Sequence, residues 1–199
     1  LRELSIVIIG VAVTLAASSI VNDFKEKRDL KQQLNIIHAE LESNVERLDG
    51  LIDFYGRHGK LSNFLRESIE NPQTGTIDSI NKYSSIIGEI YPFTYKRGAY
   101  DMFLNSGAAK LLTDRNLLLD ITESYTMLEI IKGDYDKYVE MKIIEIQKFN
   151  DLGRKNIYNV IDITSPEYSN MFNFYTSIRK GEYPVETREH IEKVLLHIK

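Results

Sequence analysis

The sequence predicts an all-α protein. An N-terminal transmembrane helix continues as a long rod, and an antiparallel, bundle-like domain of about six helices packs with it. Three observations carry this. Residues Ser5 to Val21 contain no charged side chain. From Leu30 onward, apolar residues recur at three- and four-residue steps, the period of one helix face. No proline interrupts Leu1 to Asn71.

The uncharged run is 17 residues long, and Leu4 and Asn22 extend it to 19. This is the lower end of the roughly 17–25 residues that cross a bilayer core as a helix. Charges then begin at Asp23 and continue through Lys25, Glu26, Lys27, Arg28 and Asp29. The expectation is a membrane anchor over residues 5–21. Two alternatives stay open: a signal peptide cleaved near Ala16-Ala17-Ser18, and a buried core helix. Only Arg2 precedes the run, while Lys25, Lys27, Arg28 and Lys31 follow it. The positive-inside rule then places the C-terminal domain in the cytoplasm, and basic residues ahead of Leu1 would reverse this. Gly10, Thr14 and Ser18 repeat every four residues, forming a small-residue face that is a candidate membrane helix contact.

The rod reads from Leu30 through Leu34, Ile37, Leu41, Val45, Leu48 and Ile52 to Tyr55, with mostly polar residues between. Gly56 and Gly59 flank Arg57-His58 and are expected to kink or end it, with a second helix over Lys60 to Glu70. The domain reading is therefore residues 1–22 as anchor and 23–199 as helical domain, with 23–55 the juxtamembrane rod and 60–199 the remaining helices. Residues 71–75 read as a loop and 77–90 as a helix stopped by Tyr91-Pro92-Phe93. Thr94 to Asn105 reads as a helix ended by Ser106-Gly107, with Gly107 left-handed. Thr113 or Asp114 is expected to cap a long helix carrying Leu117, Ile121, Tyr125, Leu128, Ile131, Tyr135, Tyr138, Ile146 and Phe149, which Gly133 weakens without breaking. Asp151 to Thr164 is the least readable stretch, with a stop suggested at Gly153 and an extended segment at Tyr158 to Ile163. Ser165-Pro166-Glu167 starts a helix ending near Gly181, and Val185 to Ile198 forms the last one after Pro184.

Little chemistry is legible. The 199 residues are 43% hydrophobic and 27% charged with a net charge of -4, a foldable balance that argues against a general nucleic-acid binder. With no cysteine, disulfides and thiolate zinc sites are excluded. No Gly-rich phosphate loop, nucleophile elbow or HExxH motif occurs. His38 with Glu42 and Glu186 with His190 each lie one turn apart, which two solvated polar pairs explain. No catalytic, cofactor or metal residue is expected. Tyr91, Phe93, Tyr95, Tyr100 and Phe103 cluster around Pro92, and Tyr168, Phe172, Phe174 and Tyr175 form a second cluster in the penultimate helix. Aromatics at this density read as core. The first cluster is also the candidate partner or ligand groove.

Two segments resemble a group of single-pass Bacteroidetes membrane proteins, domain of unknown function 6090 and its relatives. One is Arg2-Glu3-Leu4-Ser5-Ile6-Val7-Ile8-Ile9-Gly10-Val11 with the later Ala39-Glu40-Leu41-Glu42-Ser43-Asn44; the other runs from Ser106-Gly107 to Asn116-Leu117. They look like the group's span, its "xELExN" rod and its helix–helix junction. Asn22-Asp23-Phe24 stands where many members carry an asparagine pair and tryptophan. The resemblance implies a membrane-anchored helical domain and brings no activity. It also implies a basic stretch before the span in many members, which favours a periplasmic domain and keeps topology open.

The functional expectation is a non-enzymatic, membrane-anchored interaction or scaffold protein of a bacterial inner membrane, with a protein partner or a second copy of itself. The alternative is a sensor-like, ligand-binding helical module. An enzyme is the third reading, for which no constellation of residues speaks.

Overall fold

A computed structural model of the chain describes residues 2–71, 83, 86, 88–151 and 182–198. These form four α-helices and no strand among the described residues. Helix α1 spans Arg2–Glu70, α2 Gly98–Asn105, α3 Arg115–Asp151 and α4 Glu182–Ile198. A short 3-10 turn, Ala108–Lys110, links α2 to α3. The expected helix at 166–181, the extended segment at 158–163 and most of the helix at 77–90 lie outside the described residues; Tyr83 and Ile86 are helical, and Glu89 and Ile90 are already out of the helix.

Helix α1 is 69 residues long, or about 100 Å. The expected break at Gly56 and Gly59 does not occur, so the rod does not stop at residue 55. A lone helical glycine costs only about 1 kcal/mol, and Phe54, His58 and Leu61, all buried, hold this stretch against its neighbours. The buried face follows the predicted stripe at Ile37, Leu41 and Leu48, then moves to Leu51, Phe54, His58 and Leu61. Ile52 and Tyr55 end up half-buried. Among the described residues no helix is long and apolar enough to cross a membrane. The span expected over 5–21 falls on residues whose side chains, apart from Thr14 and residues 17–21, lie outside the described set.

The order of contacts along the chain fixes the topology. Segment 89–106 returns along α1 in reverse: Glu89 meets Arg57, Thr94 meets Arg47, Lys96 meets Asn44 and Ser106 meets Gln33. The chain then turns at Gly107, and α3 runs parallel to α1, with Tyr125 at Glu40 and Lys142 at His58. Helix α4 runs antiparallel to both. Arg188 pairs with Asp49 at 2.6 Å. The His190 Nε2 lies 3.2 Å from the Asp120 carbonyl, and His197 lies 3.1 Å from Asp114. The all-antiparallel expectation is corrected here because a partly non-helical segment, not a helix, makes the return pass between α1 and α3.

Helix α2 starts at Gly98 instead of Thr94, since the Thr94 carbonyl and the Lys96 amide and carbonyl bond to α1. Pro184 sits inside the first turn of α4, where a missing N–H costs nothing. The corner between α2 and α3 forms as the sequence predicts. Gly107 has φ +80°, and Asp114 Oδ1 accepts the Leu117 amide at 3.0 Å as the cap of α3. Gly133 leaves α3 unbroken. The core gathers Leu117, Ile121, Tyr125, Leu128, Ile131 and Tyr135 against Ile37, Leu41, Leu48, Leu51 and Phe54, closed by Ile191 and Val194.

Gly107→Val is expected to destabilise the domain by about 1–2 kcal/mol, the strain of a β-branched residue at that φ. A Cβ there meets nothing within 4 Å, so backbone strain alone sets the effect. Thermal melts of Gly107→Val beside Gly107→Asn test this, with asparagine expected to cost less.

Candidate functional site: a polar seam ending in a buried lysine–histidine centre

A helix satisfies its own backbone, so polar side chains on its buried face must find partners elsewhere. Segment 89–97 has the opposite need, since it is neither helix nor strand. The two meet in a seam along α1. Asn44 is fully buried. Its Nδ2 donates to the Lys96 carbonyl at 2.8 Å, and its Oδ1 accepts the Lys96 amide at 2.7 Å. Arg47 donates to the Thr94 hydroxyl at 2.8 Å, and the Arg47 carbonyl accepts the Tyr91 hydroxyl at 3.3 Å. Arg57 grips Glu89 with two nitrogens and also pairs with Asp53.

Glu40 closes the seam at α2. That helix has no side-chain cap of its own at Arg97. Glu40 accepts the Ala99 amide at 2.9 Å and the Tyr100 amide at 3.4 Å. A carboxylate at a helix N-terminus satisfies open amides and meets the positive end of the dipole. The same carboxylate accepts the Tyr125 hydroxyl at 2.8 Å, tying α3 to the cap. Burial, followed by the Glu40 contact, pushes the Tyr125 phenol well above its ordinary range. Gly50 makes room for Tyr91, because a Cβ there would lie 2.2 Å from the tyrosine oxygen.

At its far end the seam meets a buried ionisable pair. His58 and Lys142 are 0% and 1% exposed. The His58 Nδ1 lies 2.9 Å from the Phe54 carbonyl and must carry the proton to donate there. Its Nε2 therefore accepts from the Lys142 Nζ at 3.0 Å. Lys142 also donates to the Ile86 and Glu89 carbonyls, and lies over the Phe54 and Tyr138 rings at 5.6 and 5.9 Å. Burial first, then the Lys142 cation, lowers His58 to about 4. Burial lowers Lys142 to about 8, against a pull upward from Glu89. Both protons are held in place by geometry. The pair can sense protons, and both of its side chains are buried.

Of the residues predicted from sequence, Phe93, Tyr100 and Phe103 are buried in the core, and Tyr91 and Tyr95 pack half-buried against it. Tyr100 stacks on Tyr125 with centroids 4.4 Å apart. Neither described cavity is lined by any of these five. Gly10, Thr14 and Ser18 all lie within α1, with Thr14 and Ser18 exposed and the surroundings of Gly10 outside the described set. His38 does sit 3.5 Å from Glu42, whereas His190 turns to the Asp120 carbonyl. No group of three or more His, Asp or Glu among the described residues could hold a metal. Sequence reasoning missed Glu40, Asn44, Arg47, His58 and Lys142. Asn44 and Lys142 were detectable as polar residues falling in phase with apolar stripes.

Asn44→Ala removes both partners of the Lys96 peptide and is expected to cost about 2–4 kcal/mol, read by urea unfolding. Asn35→Ala, at an exposed position, is the control, expected within about 0.5 kcal/mol of wild type. The histidine gives a pH signature. Its folded value of about 4 lies below the ordinary ~6.5. As pH falls through that window the unfolded chain binds a proton that the folded chain refuses, so stability drops. His58→Gln should therefore lose less stability than wild type between pH 7 and pH 5, where Lys142 is charged in both states. Equal slopes would contradict this.

Comparison with known protein families, with curated proteins and with solved structures returns no match for this chain.

Proposed function

We propose that the protein is a non-enzymatic, membrane-anchored interaction or scaffold protein. Residues 5–21 sit in a bacterial inner membrane, and α1 couples that anchor rigidly to the helical domain. The single observation behind this is that α1 is one unbroken helix joining an uncharged run to a buried core. No turn lies between Val21 and Leu30 to uncouple the two. Residues 17–28 are all exposed, including Ile20, Val21 and Phe24. Bare apolar side chains at the end of a projecting helix are what a bilayer would cover. The Gly10, Thr14 and Ser18 face then offers a close contact for the helix of a partner or of a second copy. Kinship with the domain of unknown function 6090 proteins belongs to the same proposal, carried by the Glu40 to Asn44 segment and the Gly107 junction. Each of these has a definite structural task here. The seam favours a scaffold, since its ionisable groups are engaged in holding backbone and one another.

Alkaline carbonate extraction of membranes from cells expressing residues 1–199 tests the anchor. The chain is expected to stay with the membrane pellet, and release into the soluble fraction would contradict the proposal. Deleting residues 1–22 should move the domain to the soluble fraction.

A further inference from the structure

Where α1 emerges from the proposed anchor, it carries an open groove of about 610 Å³ whose lining includes Lys27, Leu30, Lys31, Leu34, His38 and Ile198. We infer that this groove holds the phosphate headgroup of an anionic phospholipid from the bilayer that α1 enters, an inference that rests on the anchor reading.

Charge is the first ground. The lining holds two lysines and, among the described residues, no carboxylate. Of the neighbouring acids, Glu42 lies 3.5 Å from the lining residue His38, and Asp29 lies 3.8 Å from Arg28. Ammonium groups one helical turn apart suit a phosphate, which accepts charge-assisted hydrogen bonds from both. The second ground is an unfilled polar atom. His38 Nε2 is buried with no hydrogen-bond partner, where a partner is the rule.

Position is the third ground. Ile20, Phe24, Lys27 and Lys31 are spaced by four, three and four residues, so they share one face. Ile20 and Phe24 are 55% and 71% exposed. Lys27 lies six residues beyond Val21, about 9 Å along the axis. The headgroup layer is about 5–7 Å deep. Side chains of a helix lean toward its N-terminus, here back toward the bilayer, and a lysine stem spans the remaining gap. Basic groups at this depth draw anionic lipid at about fivefold per residue.

The test uses the full chain in non-ionic detergent, titrated with short-chain phosphatidylglycerol, short-chain phosphatidylcholine or inorganic phosphate while its thermal melt is followed. Phosphatidylglycerol is expected to bind at least about tenfold more tightly than phosphatidylcholine. Lys27→Gln with Lys31→Gln should erase that preference. Lys25→Gln, at similar depth on the opposite face, should keep it. Equal response to the two lipids overturns the inference. So does a Lys25→Gln variant that loses as much as the double variant, or inorganic phosphate that competes as well as the lipid. Carbonate extraction separates the two readings. A chain retained by membranes without lipid preference sinks only the groove, whereas a chain released from them sinks the anchor.

Discussion

A long helix that buries polar side chains creates a demand its own backbone cannot meet, and in this protein the demand is met by a stretch of chain with no secondary structure. Glu40, Asn44 and Arg47 on successive turns of α1, with Arg57 nearly three turns farther on, take up the backbone or side chains of Ala99, Lys96, Thr94 and Glu89 in reverse order. The register is discrete. A slip of one residue would turn every one of these groups away from its partner and leave buried polar atoms unpaired, at about 1–3 kcal/mol each. The seam therefore specifies as well as stabilises. It delivers the chain to Gly107 beside Gln33, and this is why α3 runs parallel to α1.

The two ends of the seam have different characters. At Glu40 a charge is used where the field favours it, against the amides that open α2. At His58 and Lys142 a cation is kept where burial opposes it, held by two carbonyls, an imidazole nitrogen and two aromatic faces. Replacing such a site by apolar residues is often neutral or stabilising in other proteins. Its value here is the uniqueness of its partners: the pair joins α1, the Ile86 and Glu89 carbonyls and α3 at a single point. The cost is a stability that declines in acid.

Much of the helical framework was legible because it depends on periodicity. The continuity of α1 past Val21, the length of α3 and the Gly107–Asp114 corner follow from apolar spacing, absent prolines and a glycine that reaches positive φ. The two glycines at 56 and 59 misled, because local propensity is weak beside tertiary packing. The seam was harder to see. Glu40 looks like any solvated polar residue on a helix, Asn44 shows only its phase with the apolar stripe, and only the structure brings residues 52 or more positions away to meet them. Lys142 fell in phase with the α3 stripe, yet a lysine in such a slot reads as a stem lying along the surface. The parallel course of α3 was beyond sequence reasoning, since it depends on a return pass made without a full helix.

Hydrogen exchange at individual amides addresses the seam most directly. If Asn44 and Glu40 hold segment 89–100 as described, the Lys96 and Ala99 amides will exchange as slowly as amides in the middle of α3, although neither has a backbone acceptor. Exchange of Lys96 and Ala99 at the rate of an unstructured chain, with α1 and α3 still protected, would contradict the account.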